Sequence, residues 1–195
     1  MKAKIAVGLL SLILLIALAV GAAAIYTGAK AETKFSTIRG KVHTYKRKVV
    51  EVKLEDLGKN LASKMEATAN DFTQDKRPDT VTDGDAATYW EGAPDAYPNT
   101  LTVDLRSVAG VKAVRVKLNP DAIWEKRTQT FSVLGSTDGE KFTEIVPSAG
   151  YIFIPEENLN TTTIKFAETK LQYLRLVFTA NTAATGGQAA EVEVY

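Results

Sequence analysis

The chain contains no cysteine among its 195 residues, and it has a single histidine, His43. Without cysteine, disulfide bonds, thiol catalysis, cysteine-ligated zinc and a cysteine-linked lipid anchor are all excluded. Because His43 precedes the region that carries the strand signals described below, a His-based catalytic triad cannot be assembled in that region. The region also has no long run with the 3.6-residue apolar period of an amphipathic helix. These absences exclude several catalytic classes and favour a β-rich fold.

The net charge is small, +1, but it is divided unevenly along the chain. Residues 1–59 hold 11 Lys/Arg and 4 Asp/Glu, a net charge of +7, whereas residues 60–195 hold 13 and 19, a net charge of −6. The basic part is suited to an anionic surface, such as lipid headgroups or a cell-wall polymer. The acidic part is poorly suited to nucleic acid, whose affinity depends on neutralised phosphates, so we expect no nucleic-acid partner.

An apolar run of 21 residues without a charge extends from Ile5 to Ile25, which is long enough to span a bilayer as a helix. An uncleaved anchor explains this length, while Ala29-Lys30-Ala31 fits the cleavage site of a signal peptide. We therefore predict one N-terminal hydrophobic helix within residues 1–31, as a signal peptide or a single membrane anchor, and a basic tether over residues 32–59. Either alternative makes the protein extracellular or bound to the cell surface. The lack of disulfides then favours a bacterial surface.

Beyond residue 60, short apolar or alternating runs recur between turn signals rich in Gly, Pro, Asn and Asp. Side chains of a strand alternate between two faces, so the spacing of Leu101, Val103 and Leu105 predicts a strand with one face in a core. The eight runs that predict strands are 100–105, 111–118, 130–135, 142–146, 151–154, 162–166, 173–179 and 191–195. Their roughly even spacing predicts an all-β, antiparallel sandwich over residues 60–195.

Several motifs in this region resemble a known family. The resemblance lies in the loop VTDGDAATYWEG, in the segments TLTVDLRSVAGVKAVRVKL, RTQTFSVLGSTDGEKFTEIV and YLRLVFTANT, and in the closing AEVEVY. Together they resemble a coagulation-factor type C (discoidin) domain, and they are most similar to bacterial members grouped with the family 32 carbohydrate-binding modules. The resemblance implies an eight-stranded jelly-roll sandwich of the galactose-binding-domain type, with its N and C termini close together.

The resemblance also implies a structural Ca²⁺ ion beside the VTDGDAATYWEG loop. In the family the ion is held by loop carbonyls, carboxylates and a threonine hydroxyl, roles that fall here on Thr80, Asp83, Asp85, Thr88, Ala190 (carbonyl) and Glu191. Such a set suits Ca²⁺, which takes about six to eight oxygen ligands in flexible geometry. The residues by themselves leave a plain Asp-Gly turn open as the alternative, because Gly accepts positive φ and Asp bonds its own backbone.

Candidate ligand-binding residues lie in loops that the family places at one end of the sandwich. Sugars stack their apolar C–H faces on aromatic rings, and their hydroxyls bond to planar polar groups. The residues that fit this chemistry are Glu91, Tyr97, Asn99, Trp124, Glu125 and Arg127. We predict that Trp124 is the stacking surface, with burial at the sandwich edge as the alternative, and that Trp90 packs into the core. Arg127 either bonds ligand hydroxyls or pairs with a carboxylate.

These observations predict a non-catalytic, calcium-stabilised carbohydrate-binding domain of an exported or surface-tethered bacterial protein. Its partners would be a polysaccharide or glycan and, if the N-terminus is uncleaved, the membrane. The last loop, 183–187, lacks the aromatic and the proline that close relatives often carry, so the site is expected to be shallow. The alternative is an adhesion domain that binds a protein or lipid surface. We do not expect an enzyme, because the carboxylates show no catalytic pairing in the sequence.

Overall fold

The computed structural model describes residues 34–36, 42–44 and 53–195. The chain divides into two units, residues 1–51 and 52–195. In the first unit, strand β1 (Lys34–Ser36) pairs antiparallel with β2 (Val42–Thr44). The hydrophobic helix predicted over residues 5–25 lies outside the described residues. Among those that are described, no helix combines the length and apolar character needed to cross a membrane.

The second unit is an antiparallel β-domain. Its elements are β3 (Glu66–Ala69), β4 (Trp90–Glu91), β5 (Asn99–Lys117), β6 (Arg127–Ser136), β7 (Thr143–Phe153), β8 (Thr161–Asn181), β9 (Gln188–Ala189), β10 (Glu191–Val194), the short helix α1 (Pro155–Asn158) and two 3-10 turns, Pro78–Thr82 and Ala122–Trp124. The predicted strands fall on these elements but are divided differently. Runs 100–105 and 111–118 are two halves of β5, and runs 162–166 and 173–179 are two halves of β8.

Strands β5 and β8 form an arch that belongs to both layers of the sandwich. They pair with each other in both of their halves, from Asn99–Phe178 to Lys117–Thr161, and the register shifts between Asp104 and Ala109 and between Val111 and Ala113. The second half of β5 also pairs with β10, while its first half pairs with β3. The last part of β8 pairs with β6, which pairs with β7. Irregularities of this kind bend a strand, so the sheet turns over on itself at the arch.

The alternating pattern of the sequence decides which side chains fill the space between the layers. Leu101 and Val103 from the first half of β5 are buried in the same apolar cluster as Val114 and Val116 from the second half. Strands β6 and β8 add Phe131 and other large side chains to this cluster. The two halves of the arch thus close one core, and all the loops named as binding candidates connect strand ends at one end of it. We refer to this end as the loop end.

The start and finish of the domain meet at the opposite end, the base. Asn60 accepts from Val194 N through its side chain at 2.9 Å, and Leu61 N donates to the Val194 carbonyl at 2.8 Å. The structure also places the last residues of the predicted tether against the domain. Arg115 donates from Nη2 to the carbonyl of Glu55 at 2.6 Å, and the Glu55 carboxylate lies 2.7 Å from Nζ of Lys165.

Candidate functional site

A chain of hydrogen bonds joins three polar side chains at the loop end. Arg127, the first residue of β6, donates from Nη1 to Oε1 of Gln188 at 2.6 Å. Gln188 donates in turn from Nε2 to Oε2 of Glu91 at 2.9 Å. Glu91 lies directly opposite Gln188 in the β4–β9 pair, and opposite residues of an antiparallel pair share one face. The structure therefore brings two of the predicted residues, Glu91 and Arg127, into one site through Gln188.

Trp124 lies beside this chain, in the 3-10 turn that follows β5. Asp121 caps the start of this turn, and its carboxylate accepts from Ile123 N at 3.0 Å. Tyr89 meets the indole edge-on at 4.7 Å between ring centroids, and the Arg127 guanidinium lies 4.9 Å from the indole centroid. Arg127 also donates from Nη2 to the Trp124 carbonyl. The indole is half-buried, so these contacts hold the ring in place while part of it stays exposed to solvent.

Two amides, the buried Gln129 and the half-buried Asn181, support the site from below. Oε1 of Gln129 accepts from Gln188 N at 2.8 Å and Nε2 donates to the Gln188 carbonyl at 3.0 Å. Asn181 bonds to Oε1 of Gln129 at 3.2 Å and to the Gly186 carbonyl at 2.9 Å. The sequence analysis missed Gln129, although its position carried a signal. It alternates with Phe131 and so lies on the inward face of β6, where a buried amide needs specific partners.

Asn99 lies inside the loop end rather than on its surface. The side chain is 0% exposed, and its amide donates to the carbonyls of Ala93 and Ala96 at 3.2 and 3.3 Å. Its oxygen accepts from Gly187 N at 2.8 Å. With these bonds Asn99 fixes the two loops against each other. The structure thus gives Asn99 a supporting place, different from the direct ligand contact that the sequence suggested.

Charged and hydroxyl groups at the loop end differ in their access to solvent. Burial lowers the pKa of Arg127, while the nearby Glu125 and Glu91 carboxylates act in the opposite direction. Glu125 is exposed, as its predicted role requires. The buried hydroxyl of Tyr97 has no hydrogen-bond partner among residues 53–195, and burial, followed by the Asp95 and Glu91 charges, raises the pKa of Tyr97. Tyr97 therefore points its polar end inward.

Trp90 connects the adjacent loop to the core. Its indole is 0% exposed and packs 5.5 Å from Phe178 between ring centroids, as the sequence predicted for a core residue. Its Nε1 donates to the Asp71 carbonyl at 3.2 Å, which satisfies the polar end of the buried ring. The loop that precedes Trp90 is thereby fixed at one end to the core.

That loop is also closed by its own polar groups. Oδ1 of Asp83 accepts from Asp85 N at 2.7 Å, and Gly84 between them has a φ of +91°, which favours glycine. The Thr88 hydroxyl lies 2.9 Å from Oδ2 of Asp83 and 2.9 Å from the Asp85 carbonyl oxygen. A carboxylate, a carbonyl and a hydroxyl that the sequence predicted as calcium ligands are therefore brought together.

Glu191, the first residue of β10, reaches this loop from the other end of the domain sequence. Its Oε1 accepts from Gly84 N at 2.8 Å, and the residue is 6% exposed. Within residues 53–195 neither Glu191 nor Asp83 forms an ion pair with a Lys or Arg side chain. Burial, and then the neighbouring Asp83 carboxylate, raise the pKa of Glu191 to about 7, although the Gly84 N–H acts to lower it. Two carboxylates this close without a cation are unfavourable when both are ionised.

This donor set fits a calcium ion. Hard oxygen ligands of mixed kind are what Ca²⁺ prefers. The described residues contain no cluster of three or more His, Cys, Asp or Glu side chains suited to a metal ion. Main-chain carbonyls, predicted at Thr80, Asp85 and Ala190, would therefore have to complete the shell. The Thr80 hydroxyl donates to the Arg77 carbonyl at 2.9 Å, which is compatible with a role for its carbonyl alone. Calcium itself stays a prediction.

Comparison with known proteins identifies the family. The family model described as "F5/8 type C domain" matches residues 64–192, well over half of the chain. The chain therefore belongs to the F5/8 type C domain family, and the resemblance found in the sequence motifs is confirmed. A comparison with curated proteins gives no match.

Solved structures with a similar fold include carbohydrate-binding modules. The CBM32 of AlyQ, in complex with 4,5-unsaturated mannuronic acid, is 24% identical, with 68% of this chain and 96% of that chain covered at a TM-score of 0.56. Chitosan-binding module 2 of a Paenibacillus sp. IK-5 chitosanase/glucanase, in complex with chitotriose, is 23% identical. The match covers 70% of this chain and 99% of that chain at a TM-score of 0.56. CpGH89CBM32-5 of Clostridium perfringens, in complex with GalNAc-beta-1,3-galactose, is 20% identical. The match covers 70% of this chain and 99% of that chain at a TM-score of 0.59. At these identities the likeness shows a shared β-sandwich fold.

Proposed function

We propose that this protein is a non-catalytic carbohydrate-binding protein of a bacterial surface, and that it binds glycans at the loop end. The observation that carries the proposal is the arrangement of Trp124, Arg127, Gln188 and Glu91. It combines a partly exposed indole with amide and carboxylate groups that are already held in place. Side chains fixed before binding lose little entropy when a ligand arrives. Similar modules whose structures contain saccharides support the same conclusion.

The recognition chemistry follows from how the groups are held. The exposed part of Trp124 offers an aromatic surface for the C–H face of a sugar. Glu91 is half-buried and has one bond to Gln188, so further lone pairs remain for sugar hydroxyls. Glu125 is exposed beside the indole. Arg127 is 7% exposed and is engaged by Gln188 and the Trp124 carbonyl, so its main contribution would be to position the other groups.

A glycan array tests the proposal, with the full-length chain in a mild uncharged detergent. Trp124→Ala should weaken binding to the glycans recognised by about tenfold or more, because stacking residues dominate such contacts. Phe142→Ala is the matched control, since Phe142 is also half-buried beneath a guanidinium, that of Arg175 at 3.5 Å, but lies near the base. Equal binding by both variants would refute the site, and no binding to any glycan would refute the function.

The proposal includes a structural calcium ion held by Asp83, Asp85, Thr88 and Glu191 with nearby carbonyls. The ion would connect the loop before β4 to the start of β10, and it would relieve the repulsion between the two carboxylates. Ligands that bind only the folded state stabilise it, so calcium should raise the melting temperature. Running the array with Ca²⁺ and with a chelator measures whether recognition also depends on the ion.

Export or surface tethering is part of the proposal and rests on the sequence. The 21-residue apolar run from Ile5 to Ile25 and the lack of cysteine support it. Protease accessibility of the domain on intact cells, compared with lysed cells, tests it directly. Protection of the domain in intact cells would contradict a surface location.

A second candidate is an adhesion domain for a protein or lipid surface. The observation that favours it is Ile123, which is 81% exposed at the tip of the turn that carries Trp124. An exposed aliphatic side chain at a loop tip is suited to an apolar partner. Co-sedimentation with anionic and zwitterionic vesicles, using Ile123→Ser for comparison, separates this function from glycan binding. Adhesion to a lipid surface requires that the protein sediment with the vesicles and that Ile123→Ser reduce this sedimentation.

A further inference from the structure

The candidate calcium site and the candidate glycan site lie at the two ends of one short strand pair, β4–β9. Glu91 of β4 faces Gln188 of β9 at one end, in the glycan site. At the other end, β9 leads directly into Ala190 and Glu191, while Thr88 precedes β4 by two residues. Three residues of extended chain span about 10 Å, so the two sites are close enough for one to influence the other.

Tyr89 joins the two sites through its side chain. It follows Thr88, whose hydroxyl lies 2.9 Å from Oδ2 of Asp83 and 2.9 Å from the Asp85 carbonyl oxygen. The half-buried Tyr89 ring reaches Trp124, which it meets at 4.7 Å between ring centroids and 86° between ring planes. One residue therefore adjoins a predicted ion ligand in the chain and contacts the predicted stacking surface in space.

The position of the Trp124 ring depends on side-chain contacts. Trp124 N donates to the Asp121 carbonyl at 3.0 Å, a bond within the turn that fixes the shape of the turn but not its place beside the loop before β4. The indole packs partly against the core, and the Arg127 guanidinium lies 4.9 Å from its centroid. Among the aromatic contacts of residues 53–195, the contact with Tyr89 is the one that joins this ring to the loop before β4.

The Tyr89 ring is itself held beside β4. Nζ of Lys76 lies 4.7 Å from the ring centroid, and the Lys76 carbonyl accepts from Glu91 N at 3.3 Å. An ion bound in the loop would fix the backbone at Thr88 and, with it, the place from which the Tyr89 side chain extends. A group that one ligand has already ordered loses less entropy when a second ligand binds. Binding of the ion would therefore favour binding of a sugar on Trp124.

We propose that Tyr89 is a positioning residue that couples the calcium site to the glycan site. This inference rests on the proposed function, including its calcium ion. An ion held by the loop of Thr88 fixes Tyr89, and Tyr89 holds the Trp124 ring where a sugar stacks on it. Coupling between two binding sites is reciprocal, so a glycan strengthens calcium binding by the same factor. An edge-to-face ring contact is strong enough to account for a factor of about three to ten.

Calcium alone tests the first half of the coupling, from the ion to the ring. The chain has two tryptophans, Trp90 and Trp124, so the full-length protein labelled with 5-fluorotryptophan gives two fluorine NMR signals, and Trp124→Phe assigns them. The measurement is made in an uncharged detergent with Ca²⁺ as the only titrant. We expect Ca²⁺ to shift the Trp124 signal over the same concentrations that raise the melting temperature.

Three variants separate the role of Tyr89 from a general effect on the fold. Tyr89→Leu should keep the calcium-induced rise in melting temperature, because Tyr89 is not a predicted ion ligand, but the Trp124 signal should no longer respond. Tyr89→Phe keeps the ring edge and should restore the response. Tyr173→Leu is the matched control, since Tyr173 is also half-buried but lies opposite Ser136, at the end of β6 away from the site. It should leave the response unchanged.

The glycan with the strongest signal on the array tests the second half. Calorimetry should show that Ca²⁺ raises its affinity by a factor of about three to ten, and Tyr89→Leu should reduce this factor to about one. The proposal is overturned if Ca²⁺ does not shift the Trp124 signal, if the shift persists in Tyr89→Leu, or if Tyr89→Phe behaves like Tyr89→Leu. Failure of the array would refute the glycan function, whereas failure of the fluorine measurement would refute the coupling and leave glycan binding intact.

Discussion

Replacing Gln129 with leucine would remove the central support of the loop end. The side chain is 0% exposed and bonds both the N–H and the carbonyl of Gln188, at 2.8 and 3.0 Å. Leucine is similar in size but leaves these two buried backbone groups unpaired. Each unpaired group costs about 1–3 kcal/mol, and the better burial of leucine offsets about 1 kcal/mol of the total. Asn181 loses one bond but keeps its bond to Gly186.

The expected loss of stability is therefore roughly 3 kcal/mol. In a domain of this size that lowers the melting temperature by about 6–12 °C. Urea unfolding monitored by tryptophan fluorescence measures it, because Trp90 is buried in the core. Glycan binding should weaken as well, since Gln188 holds both Arg127 and Glu91.

Gln172→Leu is the matched control. Gln172 is half-buried on the sheet and donates one hydrogen bond, to Asp104 at 3.0 Å, so its loss should cost no more than about 1 kcal/mol. If Gln129→Leu unfolds within about 0.5 kcal/mol of the unchanged protein, the reasoning about unpaired buried groups is refuted. If it is destabilised but binds glycans normally, the link from Gln129 to the site is wrong.

Three other perturbations test separate parts of the structure. Adding Ca²⁺ should raise the melting temperature, and Glu191→Gln should abolish that rise; an equal rise in the variant would contradict the predicted ion site. Gly186→Ala should destabilise by about 1–3 kcal/mol, because its Cβ would clash with the Gly92 carbonyl oxygen, whereas at Gly150 a Cβ would meet only a methyl group at 3.3 Å. Hydrogen bonds from the Lys141 and Glu140 backbone lower the pKa of Asp138 below 3.8, so its contribution to stability is present above pH 3.8 and is lost as the pH falls through the lower folded value. Asp138→Asn should therefore lower the melting temperature at neutral pH, and this difference should shrink as the pH falls, as calorimetry over a series of pH values would show.

The local patterns of the sequence predicted the β-domain, because strand alternation and turn residues act over short distances. The inward positions of Leu101 and Val103 and the burial of Trp90 follow from such patterns. The arch does not follow from these patterns, because a period of two residues looks the same in two short strands and in one long bent strand. Pairing of β5 with β8 in both of their halves is a tertiary property that no local pattern contains.

The candidate site, too, was predictable from the sequence only in part. The motifs indicated Trp124, Arg127 and Glu91, and the structure places them together. Gln188 was not among the predicted site residues, because its role depends on the pairing of β9 with β4, in which Glu91 and Gln188 are 97 positions apart in the chain. Asn99 was predicted as a ligand contact because an exposed and a buried asparagine look alike in a loop sequence. Its burial results from the close approach of Gly187.

The hydrogen bonds of Asn60 and Leu61 with Val194 also bear on how the domain would respond to a pulling force. If the domain is tethered to a surface and holds a ligand at its loop end, as proposed, it would be loaded between that end and residue 60, with tension along the strands. Val194 belongs to β10, which pairs with β5 over four residues, and strands pulled along their length must break such bonds together rather than one by one. The contacts of Glu55 with Arg115 and Lys165 precede this point in the chain. They would release first, lengthening the tether while the sandwich stays folded.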